Sequence, residues 1–136
     1  MVAAAVDGLD GVEAEDTEIQ QGGPTYTADT LTALAKRYPG AELVLLVGAD
    51  VAVRMDTWAR PEEVRRRATI VVMTRPGRDQ IRLPEGWQYQ VLEAPAYDIS
   101  STEVRRRVAA GEAISDLVPA GVASIIKKIK LYQKIK

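Results

Sequence analysis

The chain has 136 residues, 46% hydrophobic and 27% charged, with a formal net charge of −1. This is the composition of one globular domain at most, large enough for a real core, and it gives a general nucleic-acid or membrane-surface role no electrostatic support. Cysteine, histidine and phenylalanine are all absent, which excludes disulfides and thiolate metal sites, removes the commonest acid/base and metal ligand, and demands an aliphatic core.

Met1–Asp7 lacks the basic start and apolar length of a signal peptide, and no apolar run could span a membrane, so a reducing cytoplasm is the expected place. Val12–Ile19 is expected to form a weak strand, followed by a loop at Gln21–Pro24. From Tyr26 to Tyr38, Leu31, Leu34 and Ala35 recur at helical spacing, and Pro39-Gly40 closes that helix. Glu42–Gly48 is a continuous apolar run of strand length, of the kind found in parallel sheets covered on both faces. A short helix over Ala49–Met55 follows, and Pro61 opens another at its first helical position, running to about Arg67.

Thr69–Thr74 is the second buried strand, closed by Arg75-Pro-Gly77, and Arg78–Gly86 is polar loop. Trp87–Glu93 alternates and makes a third strand. A helix runs from about Ser101 to Ala110, and an amphipathic one from Pro119 to Lys130 turns Val122, Ile125, Ile126 and Ile129 inward. Strands alternating with helices indicate an α/β sheet of the doubly wound kind.

The basic residues change character along the chain. Residues 1–118 hold twelve Arg and one Lys, whereas residues 119–136 hold five Lys and no Arg. A solvated basic face on a terminal helix accounts for this; a partner- or phosphate-attracting tail, or a coding artefact, are the other readings.

Four motifs carry chemistry. Asp98-Ile-Ser-Ser-Thr-Glu-Val-Arg105 sets Ser100, Ser101 and Thr102 at a helix start, where exposed N–H groups, hydroxyls and the Arg105 guanidinium can hold phosphate. The same residues also have the Ser100-x-x-Glu103 spacing of a capping box, which needs no ligand. Gly22–Leu31 is a glycine-rich loop entering a helix that Thr25 or Thr27 can cap, with Asp29 in its first turn. Val47-Gly-Ala-Asp50 ends a buried strand, where ligands bind in open α/β sheets; Asp50 can bridge ribose hydroxyls there, or simply cap the next helix. Thr57-Trp58 presents an indole that can stack on a flat ring, or fill the core.

In this order, Gly23–Leu31, Gly48-Ala-Asp50, Thr57-Trp58, Thr74-Arg-Pro-Gly77 and Asp98–Arg105 resemble the bacterial nicotinate-nucleotide adenylyltransferases of the nucleotidyltransferase superfamily, over about Val12 to Tyr132. The Ser-Ser-Thr-x-x-Arg element is shared with other branches, including pantetheine-phosphate adenylyltransferases, whereas Gly-Pro-x-Tyr-Thr-x-Asp-Thr-Leu is particular to the nicotinate branch.

The resemblance implies a partial Rossmann-like parallel sheet flanked by helices, as one domain over residues 1–136 with a C-terminal helix and Lys-rich tail over 119–136. It implies transfer of AMP from ATP to nicotinate mononucleotide with Mg²⁺, giving deamido-NAD and pyrophosphate. Tyr26, Thr27, Trp58 and Arg75 would hold the mononucleotide. Gly48, Asp50, Ile99, Ser100, Ser101, Thr102 and Arg105 would hold ATP. The family opens with Gly-Gly-x-Phe-Asp-Pro and His-x-Gly-His, whose histidines neutralise the transferring phosphates. No counterpart exists here, so the first strands and helices of the family fold are expected to be missing. No catalytic residue and no protein metal site is assigned, little activity is expected of the chain alone, and self-association is anticipated. The alternative is a non-catalytic nucleotide-binding or assembly module.

Overall fold

The computed structural model describes residues 1–74, 81–95 and 97–133. Its contacts divide the chain into two compact units, Met1–Glu15 with Tyr97–Lys136, and Asp16–Ala96.

The Asp16–Ala96 unit is an α/β layer. Three parallel strands, β1 (Val44–Gly48), β2 (Thr69–Thr74) and β3 (Tyr89–Glu93), pair in that order, with Val47 opposite Val72 and Val72 opposite Val91. Parallel neighbours require a crossover, and between β1 and β2 it consists of α4 (Ala49–Ala52), a 3-10 turn (Met55–Thr57) and α5 (Pro61–Arg67). Pro61 sits at the start of α5, with Glu62 and Glu63 in its first turn and Arg65–Arg67 in its last. That charge order complements the helix dipole. Leu31 and Ala28 of α3 (Thr27–Arg37) join Val64, Met55, Ile70, Val72 and Trp87 in one aliphatic-rich core. The Arg65 guanidinium lies 5.3 Å from the Trp87 ring centroid.

Two expectations from the sequence fail here. Val12–Ile19 is not a strand: residues 12–16 have no regular structure and Thr17–Gln21 is a helical turn, α2. Its carboxylates fit a helix start better than a ladder, and the Gln20 amide donates to Asp16 Oδ1 at 2.7 Å. Nor is β1 covered on both faces, since Val44 and Leu46 remain 56% and 49% exposed while Val47 is buried. Register places them on one face with Val71, Met73 and the half-exposed Leu92.

That open face, together with the unpaired edges of β1 and β3 in the described sheet, invites a second chain. The purified chain should therefore scatter light as more than a monomer and bind an apolar dye. A compact monomer with a sharp two-state melt and no bound dye would overturn this.

The second unit has its own core of Val104, Ile114 and Ile126, joined by Val108, Leu117, Val118, Val122 and Leu131. These residues come from α6 (Ser101–Ala110), α7 (Ala120–Lys128) and the segments that follow each helix. Helix α1 (Val2–Val6), absent from the sequence reading, packs on α7. Gly121 permits the approach: a Cβ there would lie 2.9 Å from the Ala4 carbonyl oxygen. Ile129, expected inward, is 59% exposed. Helix α7 ends before it, and the chain turns so that Leu131 folds back, its N–H donating to the Ile126 carbonyl at 3.0 Å.

Candidate functional site

Thr25, Tyr26 and Thr27 form one wall of a cavity of about 280 Å³, and Thr57, Trp58 and Ala59 the other. Neither Thr25 nor Thr27 caps α3. The cap position belongs to Tyr26 in extended backbone, and no side chain closes the helix start. Thr27 is the first helical residue and stands at the cavity. Trp58 is not a free indole: it is half-buried and packs against the core while also lining the cavity. The preceding 3-10 turn is locked by Thr57 Oγ1 donating to the Arg54 carbonyl at 2.8 Å.

One contact here has no sequence signal. Arg60 Nη2 donates to Asp29 Oδ2 at 2.5 Å, joining segments 31 residues apart. Arg60 has φ 55° and ψ 57°, a left-handed conformation costing about 1–2 kcal/mol in a non-glycine residue. The following Pro61 already steers it away from right-handed helical backbone.

At the carboxyl end of β1, Gly48 and not Asp50 is the cap residue of α4, and no side chain caps that helix. Asp50 is exposed, and its Oδ1 lies 2.8 Å from where a Gly48 Cβ would sit. The missing side chain at Gly48 is what leaves room for the carboxylate.

Ser100, Ser101, Thr102 and Arg105 lie in the other unit, with Ile99 just before them. Ser100 caps α6, its Oγ accepting from the Glu103 N–H at 3.1 Å. The reciprocal half of the capping box does not form, because Glu103 is taken by Arg106 and Arg107 at 2.8 and 2.9 Å. Arg106 also pairs with Glu112, and Arg107 with Asp116. Among the described residues Arg105 alone of the three pairs with no carboxylate; its Nη2 donates to Thr102 Oγ1 at 3.3 Å. A cation therefore stays uncompensated beside the α6 N-terminus. Arg75 lies outside the described residues.

Two larger cavities lack this character. One of about 460 Å³ is lined by Arg65, Thr69, Gln88 and Gln90 at the amino ends of β2 and β3, opposite the end where open sheets bind ligands. The other, about 570 Å³, is lined by residues including Val108, Ile114 and Ile126. Among the described residues no group of three His, Cys, Asp or Glu side chains could hold a metal ion.

Residues 1–107 match the cytidylyltransferase-like family. A probable nicotinate-nucleotide adenylyltransferase of Exiguobacterium sibiricum is 34% identical over 132 residues, covering 97% of this chain and 69% of that protein. The chain belongs to the nicotinate-nucleotide adenylyltransferase family. A probable member from Corynebacterium kroppenstedtii is 47% identical over 118 residues, which are 85% of this chain and 56% of that protein. The chain thus spans a little over half the length of that relative. The fold is shared with the Plasmodium falciparum nicotinic acid mononucleotide adenylyltransferase, solved in complex with NaAD, at a TM-score of 0.57 and 20% identity over 80% of this chain and 58% of that one.

In this family member the α6 ion pairs carry a pH signature. Arg106 first, then Arg107, hold the Glu103 carboxyl at about 2 against an ordinary 4.5. Arg106 lowers Glu112 and Arg107 lowers Asp116 in the same way. A depressed carboxyl pKa stabilises the fold above the unfolded value, and that contribution is lost as pH falls from about 4.5 to about 2. Glu103→Gln should melt slightly below the parent at pH 6, with the gap closing by pH 2. A gap unchanged across that range would overturn the assignment.

Proposed function

We propose that the chain binds nicotinate mononucleotide and ATP and belongs to a protein that transfers AMP between them. The observation carrying this is the cavity where Tyr26 and Thr27, at an α3 N-terminus without a side-chain cap, face Trp58. The first amides of a helix have no intrahelical partner, and the dipole favours an anion there, so the nicotinate carboxylate has donors while its ring meets the indole.

Gly48 and Asp50 at the carboxyl end of β1 suit the ATP ribose. The Ser100-Ser-Thr102 helix start and Arg105 suit the triphosphate, with Ile99 near adenine and Arg75 as a further phosphate ligand. Magnesium would arrive on the ATP phosphates, whose oxygens suit a hard cation. The reaction is in-line attack of the mononucleotide phosphate on the α-phosphorus, releasing pyrophosphate, and needs positioning and charge stabilisation only. A cytoplasmic setting suits these substrates, and no described helix is long and apolar enough to cross a membrane.

The relatives' names and the Plasmodium falciparum structures solved with NaAD and with APC support the same reading. Calorimetric titration tests it: nicotinate mononucleotide and Mg-ATP should each bind saturably at one site. Absence of mononucleotide binding to folded chain would overturn it.

A further inference from the structure

We propose that Arg60 and Asp29 are a positioning pair that fixes the spacing of the two cavity walls, and, on the functional reading above, the affinity for the mononucleotide. Asp29 is two residues beyond Thr27 on one wall, and Arg60 two residues beyond Trp58 on the other. Their hydrogen bond is thus a clasp between the two segments that carry the cavity walls, 31 residues apart in sequence.

Stability does not account for this pair. Both side chains are over 40% exposed, and exposed pairs contribute little against solvent screening and side-chain entropy. Helices α3 and α5 are already packed through Ala28, Leu31 and Val64 in the core. Yet Arg60 is held in left-handed backbone, which glycine would occupy without strain. Strained non-glycine residues persist where the surroundings over-determine them, and they cluster at ligand clamps. Released from Asp29, Arg60 would relax to the extended backbone that a residue before proline prefers. A rotation of that size about Arg60 swings the segment preceding it, and the side chain carried there is Trp58.

The test uses the full chain with Arg60→Ala, Asp29→Asn and Arg60→Lys, and Arg66→Ala as a control at an exposed cation of α5 that does not line the cavity. Acrylamide quenching reports the exposure of Trp58 without any ligand, because Trp87 is buried and contributes a protected background. Arg60→Ala and Asp29→Asn should raise quenching and weaken nicotinate mononucleotide binding by on the order of tenfold. Mg-ATP binding and the melting temperature should stay near the parent values. Arg60→Lys should recover part of the loss, and Arg66→Ala should bind the mononucleotide as the parent does. Parent-like quenching and mononucleotide affinity in Arg60→Ala would overturn the proposal. So would equal losses for both ligands, which would mark a general structural role. If the parent binds no mononucleotide but Arg60→Ala still opens Trp58 to acrylamide, the clasp is supported and the nucleotide reading falls.

Discussion

Given ATP, Mg²⁺ and nicotinate mononucleotide, the purified 136-residue chain should release pyrophosphate at a rate indistinguishable from the uncatalysed background. Removing one preorganised charge-stabilising donor from an active site costs on the order of 10²–10³ in rate. The family pattern supplies a pair of histidines for this purpose, and the chain contains none. Arg105 and the α6 N-terminus can bind a triphosphate, yet binding ground state and transition state equally well does not accelerate the chemical step. Ligand binding without turnover is the expected result, measured by coupled pyrophosphate detection beside the titrations. Turnover at the rate of an ordinary adenylyltransferase would show that other groups carry the charge stabilisation.

Subsite exchange should be equally decisive. Arg105→Ala should weaken Mg-ATP binding by about tenfold to a hundredfold, the span expected when a charged hydrogen-bond partner is removed, and should leave the mononucleotide nearly untouched. The pairing within α6 makes this specific to one residue, since Arg106 and Arg107 are committed to Glu103, Glu112 and Asp116. Trp58→Ala should show the reverse preference, losing mononucleotide affinity more than ATP affinity. Because Trp58 also packs on the core, Trp58→Leu should accompany it, retaining apolar contact while losing the ring. Opposite pairings, or equal losses at both sites, would mean the subsites are wrongly assigned.

Legibility in the sequence followed the strength of local chemistry. Helix α5 and strand β2 match their expected limits because Pro61 fixes a helix start and Thr69–Thr74 is an unbroken β-branched and apolar run. Helix α1 has no side-chain cap, and at five residues it is too short to stand alone, so its existence rests on packing against α7 that no local pattern announces. The capping box at Ser100 was half right: the cap forms, but Arg106 and Arg107 outcompete the backbone amide for Glu103. Asp50 looked like a helix cap because Asp favours that role, while Gly48 takes it and leaves the carboxylate exposed. Tyr26 and Trp58 converge across more than thirty residues, a juxtaposition that family resemblance could suggest and spacing could not. The Asp29–Arg60 clasp had neither signal.

The Gly121–Ala4 approach has a bearing on how the chain comes off the ribosome. Residues 16–96 form a contiguous unit, whereas the other unit is built from Met1–Glu15 and Tyr97–Lys136. The first can begin to condense while synthesis is still under way, since domains fold as units in the order they emerge. The second must wait: Val2–Val6 finds its seat only when Gly121 of α7 has been made, so α1 is fastened later than the sheet that follows it in sequence. A ribosome stalled before Gly121 would leave α1 unpacked and open to proteases, although residues 16–96 had already been made.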